Sequence, residues 1–506
     1  SVGAMRKHWG WGSDEQQLTL EQLGAAAPGI VEYLGFGRLE PELPVPLDRA
    51  VLPEPRITPG PLQRIARTDR HARASHAMGK AYRDVVRGFR GDFRTAVDFV
   101  ALPEDEEDID RVLSWAADQH VAVIPFGGGT SVVGGVEPRD LDAYNGVLSL
   151  DLSRLNRVLD VDTISRSALV QAGTTGPQVE SQLAEHGLTT RFFPQSFEFA
   201  TVGGWVATRA GGHFASGPTH IDDIVESIRA ITPRGAWESR RLPASGAGPS
   251  PDRLLLGSEG ALGVITSVWL GVRARPVAKS TATLRFPTFG AGCDAIREVL
   301  QAGLLPSNCR LIDGLEAPGT DDRPLLVLGV EGGFDQSPDL TAAVTICQRH
   351  GGEVQNRGGE REWRGAFLQA PYLRDTLISL GILAETFETA VTWDRLPGLI
   401  QDLRDAVPGR ITCRLTHIYP DGAAPYFTVL QPVDRGEEIS HWDALKTQVS
   451  DIIVRHGATI THHHAVGRDH VPWYREQRPE LFAAVLTAAK GRLDPVGIMN
   501  PGVLGL

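Results

Sequence analysis

The sequence predicts an α+β protein of two or three domains, on three observations. Its 506 residues exceed what a single hydrophobic core usually serves. From about residue 93 onward, short β runs are interleaved with helical patterns. Three glycine-rich segments, beginning at Pro125, Pro194 and Gly257, fall within roughly the length of one domain.

The elements can be justified in chain order. Up to about residue 92 the chain is mixed and partly helical, and "PELPVPLDRAVLPEPRITPGP" is rich in proline, which favours an extended wrap over a surface. "AVDFVALP" is a short β run. "EDEEDIDRVLSWAADQH" sets Ile109, Val112, Leu113 and Ala116 at helical spacing behind an acidic first turn, where the helix dipole favours negative charge. "VAVIPF" is an apolar run of strand length that stops at "GGGTS", and two further β runs lie around "GVLSLDL" and "ALVQAG". "GPQVESQLAEHG" reads as a short helix with Pro177 near its start and Gly187 at its stop. From about residue 279 the chain changes: "STATLRFP", "CDAIREVLQAG", "PLLVLGVEG" and "LTAAVTICQRHG" alternate strand and helix, the pattern of a separate α/β unit. "RPELFAAVLTAAKGRLDP" is a last helical stretch before "GIMNPGVL".

Composition excludes several function classes. The apolar fraction of 42% is ordinary for a soluble chain. Lysine and arginine number 50 and acidic residues 62, a net charge of −12. That balance disfavours nucleic acid as the main partner and general adhesion to anionic membranes, while leaving room for a local basic pocket. Cys293, Cys309, Cys347 and Cys413 are scattered without a C-x-x-C pair, which reads as free thiols in a reducing compartment. The best apolar run, Ala261 to Val272, ends at Arg273 and is too short to span a membrane. No apolar stretch follows Arg6 and Lys7, so no secretory signal is expected, and "GVLGL" is not a peroxisomal address of S-K-L type. A cytoplasmic location is the expectation.

The glycine segments carry the first functional signal. In "PFGGGTS", Pro125, Phe126, Gly127, Gly128, Gly129, Thr130 and Ser131 follow an apolar strand. Successive glycines let main-chain N–H groups approach an anion such as a pyrophosphate. No G-K-[ST] follows, and the pattern is not G-x-G-x-x-G opening a long helix, so neither a Walker loop nor a standard nicotinamide fold is favoured. The second segment supplies Pro194, Gln195, Ser196, Phe197, Glu198, Phe199 and Ala200, then Gly203 and Gly204, then Thr208, Arg209, Ala210 and Gly211. The third supplies Glu259, Gly260, Ala261, Leu262, Gly263, Val264 and Ile265. Glycine pairs beside small or apolar residues suit close packing of backbone against a flat ring. Any one segment alone is equally well a structural turn.

Together these segments resemble the flavin-binding domain of the vanillyl-alcohol oxidase and p-cresol methylhydroxylase superfamily, and "LDPVGIMNPG" is similar to its C-terminal signature. The resemblance narrows further. "KHWGWGSDE", "ATVGGW", "TRAGG", "ITPRG", "GSEGALGVIT", "CRLID", "YLRD", "AETFETAVTWDR", "TCRLTHIY", "APYF" and "HHHAVG" look like the alkyldihydroxyacetonephosphate synthase family and cover nearly the whole chain. The resemblance implies a PCMH-type FAD-binding domain of two subdomains at 93–278 and an α/β cap at 279–435. These lie between an N-terminal segment at 1–92 and a C-terminal helical segment at 436–506. It implies FAD held non-covalently, since the first loop has Thr130 where some superfamily members have a flavin-bonding histidine. It implies acyl-dihydroxyacetone phosphate and a long-chain alcohol as substrates, exchanged to form an ether without net redox. A homodimer and peripheral contact with a membrane are also expected.

The same resemblance assigns site residues. Tyr426 matches the family's catalytic tyrosine; a free tyrosine titrates near about 10, so a base role needs neighbours that favour the phenolate. His462, His463 and His464 match the family's histidine run, and at least one is expected to bond Tyr426 or the substrate ketone. If Thr459 to His464 is extended, His462 and His464 point one way and His463 the other. Arg374 matches a substrate arginine, whose fork suits phosphate oxygens, and Arg310 falls at a family position beside it. Other readings stay open. Tyr426 could pack in a β run, Arg374 could pair with Asp375, and the histidines could be structural or hold a metal, although no familiar metal pattern is completed and none is assigned. Phe367, Leu368, Leu377, Ile378, Leu380 and Leu383 could line a channel for a fatty chain or form an ordinary buried helix face. Two alternatives in function remain: an FAD-linked oxidase or dehydrogenase of a hydroxy acid or alcohol, and a flavin-binding protein without catalysis.

Overall fold

A computed structural model describes residues 6–317, 321–355 and 372–506. The first half of the chain builds two sheets with a helix between them. Strands Phe99–Ala101, Gly146–Asp151 and Val121–Phe126 run parallel, with Ala66–Arg67 added antiparallel at the edge. Parallel strands covered on both faces read as continuous apolar runs, and "VAVIPF" is buried along nearly its whole length. The second sheet is antiparallel throughout, in the order Val158–Asp162, Ser167–Gln171, Val264–Gly271, Val225–Thr232, Gly235–Glu238.

Helix Glu106–Gln119 joins the two. Asp105 caps it by accepting from the Asp108 amide at 2.9 Å. It buries Ile109, Val112, Leu113 and Ala116, the stripe expected from its spacing. Its Glu106 receives both the Nε and Nη2 groups of Arg229 from the second sheet, at 2.8 Å each. One apolar core runs through both sheets, from Phe99 and Val123 to Val268 and Leu270.

From residue 278 a larger sheet takes over. Its order is Glu353–Gln355, Ala278–Arg285, Leu325–Gly332, Asn308–Ile312, Arg410–Ile418, Gly422–Pro432, Ile382–Glu388, with Val391–Thr392 also pairing with Gly422–Pro432. The strand–helix alternation read as an α/β unit becomes an antiparallel sheet, because each recorded pair of neighbours runs in opposite directions. Helices Phe289–Gln301, Ser337–Arg349, Leu396–Ala406 and Glu438–Arg455 bury their apolar stripes in its core. None of the described helices is long and apolar enough to cross a membrane.

Both chain ends return to the first half. The C-terminal stretch runs beside Val121–Phe126, with Val123 donating to the Ile498 carbonyl and Asn500 donating to the Val123 carbonyl at 2.8 Å each. At the N-terminus, Trp11 donates its amide to Asp375 at 2.6 Å and Arg6 donates to the Gly128 carbonyl at 2.7 Å. This strap therefore crosses from the first glycine loop to the helical turns at 372–379.

Candidate active site

A cavity of about 420 Å³ lies between the first half and the large sheet. One wall is the glycine segments. Pro125 to Ser131, Pro194 to Ser196, Ala200, Gly203, Gly204, Thr208, Ala210, Gly211, Glu259, Gly260, Gly263 and Ile265 all face it. A smaller chamber of about 250 Å³ continues past Gly127–Thr130, lined also by Arg6, His76, Gln178 and Phe199. The result is an elongated space bent around one glycine loop.

That loop fits a diphosphate. The amides of Gly127, Gly128, Gly129, Thr130 and Ser131 donate to no acceptor among the described residues, and buried N–H groups without partners are rare unless a ligand takes them. The walls are bare for a packing reason. A side chain at Gly128 would meet the Phe199 carbonyl, and one at Gly127 would meet the Thr201 hydroxyl. The first and second glycine segments thus lie against each other, and only glycine permits it.

Not every residue read as cofactor-binding faces this space. Glu198 is exposed and accepts from the Tyr372 hydroxyl at 3.3 Å. Arg209 sits in the left-handed turn that ends helix Val202–Thr208 and donates to Asp222 at 2.9 Å. Phe197 packs with Phe193 and the core, Leu262 and Val264 are buried within that core, and Ala261 is also buried. Phe199 reaches only the smaller chamber. Each of these side chains follows its own element, Arg209 a helix end and Leu262 and Val264 the core, so a contiguous motif does not all line one wall. Glu259 does line it. Burial raises its carboxyl to about 7, although both its oxygens accept from the Gly467 amide at 3.0 Å.

The opposite wall carries Tyr426, Arg414, Arg310, Arg374, Leu377, His417, His463 and His464, with Lys80 at the edge. Cross-strand register assembles its centre: Tyr426 lies opposite Arg414 on one neighbouring strand and opposite Glu388 on the other. The Arg414 guanidinium stands 4.2 Å from the centre of the Tyr426 ring and bonds Glu316. Burial raises the Tyr426 phenol above its ordinary value, while Arg414 and the Thr386 hydroxyl pull it back. The expected tilt toward phenolate is therefore not the net effect, and the phenol is protonated at rest.

The histidine run is not a strand. Residues 459–464 have no ladder partner and instead wrap around the buried Glu388 carboxylate. Glu388 accepts from the amides of His462 at 2.6 Å, His463 at 3.3 Å and His464 at 3.0 Å, and from the Thr461 hydroxyl at 2.5 Å. Burial works against its charge, but the imidazoles of His463, His464 and His462 outweigh that and hold the carboxyl well below its ordinary range. The alternation of side chains fails accordingly: His462 and His463 meet Nδ1 to Nδ1 at 3.0 Å. His463 and His464 line the cavity and His462 stands behind them. The rings of His463 and His464 lie 6.2 and 5.7 Å from that of Tyr426. Of the two partners expected for these histidines, Tyr426 or the substrate ketone, Tyr426 meets them ring against ring.

His417, unremarked in the sequence, stacks on His462 at 4.7 Å and faces the Gly212 carbonyl through Nε2 at 2.9 Å. Burial drops its imidazole to about 3 and that of His463 to about 4, and lowers His462 and His464 as well. Nitrogens of His417, His462 and His463 fall within 4.8 Å of one another, yet those of His462 already face His463 and the Tyr419 hydroxyl.

The cations form the expected basic pocket. Arg374 donates to the Lys80 carbonyl at 2.7 Å, and its Nη2 has no partner among the described residues. Its pairing with Asp375 is loose, at 3.9 Å to Oδ1, while Trp11 donates to Oδ2. Arg310 donates to the His213 carbonyl at 3.1 Å. Burial lowers the Lys80 ammonium to about 8. Of the residues read as an apolar channel, Leu377 lines the cavity, whereas Ile378, Leu380 and Leu383 are core. Phe367 and Leu368 lie outside the described residues.

Residues 97–239 match the family model of the FAD binding domain, and residues 275–504 match that of the C-terminal domain of FAD linked oxidases. The chain belongs to this FAD-linked family. It is an FAD-dependent enzyme. Among curated relatives, the alkyldihydroxyacetonephosphate synthase of Dictyostelium discoideum is 29% identical over 474 residues, covering 86% of this chain and 77% of that one. A solved alkyldihydroxyacetonephosphate synthase superposes with a TM-score of 0.82 at 25% identity, covering 98% of each chain. p-Cresol methylhydroxylase shares the fold, with a TM-score of 0.69 at 13% identity over 88% of this chain and 94% of that one.

Proposed function

We infer that this FAD enzyme exchanges the acyl group of acyl-dihydroxyacetone phosphate for a long-chain alcohol, making an ether lipid precursor without net redox. The observation that carries the reading is the wall facing the FAD site: a buried tyrosine under an arginine, beside neutral histidines, with a cluster of cations on one side. Arg374, Arg310 and Lys80 line the cavity as the candidates for holding a phosphate head, and Arg374 Nη2 has no partner among the described residues. Leu377, Leu373 and Trp11 give that end an apolar flank for the chains.

The overall reaction breaks the bond between the substrate carbon and its acyl oxygen and forms a bond from that carbon to the alcohol oxygen. A carboxylate and one proton are released. FAD, when bound, supplies a ring system that can accept and return an electron pair at that carbon. The residues of the chain manage the protons. The carbon lies next to a ketone, so its C–H is acidic, and Tyr426 is the group placed to exchange that proton. The phenol rests protonated, and the rings of His463 and His464 lie 6.2 and 5.7 Å from its own. Arg414 over the ring favours the phenolate once it forms.

The test is incubation of the FAD-loaded protein with palmitoyl-dihydroxyacetone phosphate and a labelled long-chain alcohol. Labelled ether with the flavin remaining oxidised is the expected result. Bleaching of the flavin by a hydroxy acid or alcohol, without ether, would replace this reading by the oxidase one.

A further inference from the structure

The exchange proposed above liberates one proton per ether formed, in a cavity whose histidines His417, His463 and His464 are lowered by burial and whose other ionisable groups include the cations Lys80, Arg310, Arg374 and Arg414. That proton needs a way out. We propose that His463, His462 and Tyr419 form a relay that carries it from the cavity to the surface beside Asp223 and Asp421. The inference rests on the synthase reading and adds residues to it that do not touch the substrate.

The geometry is a continuous chain of hydrogen-bonding contacts. His463 stands in the cavity wall and His462 behind it. Their Nδ1 atoms are 3.0 Å apart, His462 Nε2 is 2.6 Å from the Tyr419 hydroxyl, and that hydroxyl is 3.0 Å from the Thr219 hydroxyl. An Nδ1–Nδ1 contact requires a proton on one nitrogen and a lone pair on the other. If His463 donates and His462 accepts, His462 carries its hydrogen on Nε2 and points it at Tyr419. His463 Nε2 is then a bare acceptor. A proton arriving at His463 Nε2 lets Nδ1–H pass to His462 Nδ1, whose Nε2–H passes to the Tyr419 oxygen, whose own hydrogen moves outward. Each ring and the Tyr419 oxygen takes up one proton and gives up one, so both imidazoles finish neutral as the opposite tautomer, nothing is oxidised or reduced, and the chain resets when the two tautomers revert.

Two further features favour transport over mere packing. The Glu388 carboxylate lies 3.7 Å from His463 Nδ1, a fixed negative charge beside the path of a transient imidazolium. The His220 Nε2 contact to the His462 carbonyl at 2.7 Å holds the run in place at the turn. At the outer end Tyr419 is half-buried and precedes the exposed Pro420 and Asp421, and the exposed Asp223 also acts on its hydroxyl. The chain thus ends at the half-buried Tyr419 hydroxyl, one and two residues before the exposed Pro420 and Asp421.

The test uses the FAD-loaded full chain and Tyr419→Phe, which keeps the ring and removes the relay oxygen. The unmodified protein must first yield labelled ether; if it does not, the synthase reading falls and the relay with it. Given ether formation, Tyr419→Phe is expected to lower kcat by about tenfold or more, with KM for both substrates within about twofold. Added imidazole is expected to recover much of that loss, and the solvent deuterium effect on kcat to grow. Unchanged kcat, or a loss that imidazole does not relieve, overturns the relay while leaving the synthase reading intact. His462→Gln, which retains the backbone amide on Glu388, is the second variant and is expected to show the same rescue. Magnetic resonance of labelled histidine nitrogens gives a readout apart from turnover. One ring with a protonated Nδ1 facing one with a bare Nδ1 is expected, and two rings both bare at Nδ1 would overturn the proposal.

Discussion

Tyr426 acquires its chemistry from residues that are distant in sequence. Arg414 and Glu388 flank it only because three strands meet in one register. The phenol is buried, its ring lies under a guanidinium, and its nearest imidazoles are neutral. Replacing Tyr426 with phenylalanine removes one oxygen from a packed ring and leaves the glycine wall untouched. We expect Tyr426→Phe to keep its flavin absorbance and lose turnover by roughly 10²- to 10⁴-fold, the range for a lost proton-transfer group; a fully active variant would remove Tyr426 from the mechanism. The tyrosine and the histidines were legible through family resemblance. Arg414 and His417 were present in "TCRLTHIY" but carried no signal of their own, because an arginine in a β run ordinarily points to solvent. Glu388 was equally silent: in "AETFETAVTWDR" nothing marks which acid will be buried under three amides.

Elements explain why the glycines of the motifs face the cavity and several of their neighbours do not. The first glycine loop is bare because Phe199, Ala200 and Thr201 of the second segment lie against Gly127 and Gly128. Adding a methyl at Gly128 drives it into the Phe199 carbonyl, and such overpacking costs about 1–3 kcal/mol where the backbone must shift. The shift falls on the loop whose five amides face the diphosphate site. Gly128→Ala is therefore expected to reduce FAD affinity by at least about tenfold, read as a lower ratio of flavin to protein absorbance after purification, while the circular dichroism of the sheets is kept. Unchanged flavin content would mean that the loop does not bear on the coenzyme. What the sequence could not supply was the facing of each residue. Arg209 and Leu262 sit within the motifs, yet one caps a helix end and the other fills the core. The histidine run fails for a related reason. A strand needs a ladder partner, and here a single carboxylate takes the amides instead.

At the scale of the molecule, the placement of an FAD wall against a sheet of cations and imidazoles creates many buried ionisable groups, and their balance sets how the protein responds to acid. Two sets oppose each other. Burial raises Glu259 and Asp84 to about 7 and raises Asp375 and Glu385 as well. Between the ordinary carboxyl value of about 4 and that of imidazole near about 6.5, these groups hold protons in the folded state that the unfolded chain has released, so stability falls as pH rises. The histidines act in the other direction. His417 at about 3, His463 at about 4, and His462, His464 and His470, all lowered, stay neutral when folded but charge when unfolded below about 6.5, so stability rises with pH. From pH 5 to 7 the two sets largely cancel. Below about pH 4 the raised carboxyls are protonated in both states and drop out, while each histidine still neutral in the fold continues to contribute up to about 1.4 kcal/mol per pH unit. Glu388, held below its ordinary range, adds a loss of the same sign there. The expected urea midpoint is thus nearly level from about pH 5 to 7 and falls steeply below about pH 4.5. His417→Gln, which keeps a donor toward the Gly212 carbonyl, is expected to make that acid limb shallower; an unaltered limb would mean that His417 is not held neutral in the folded protein.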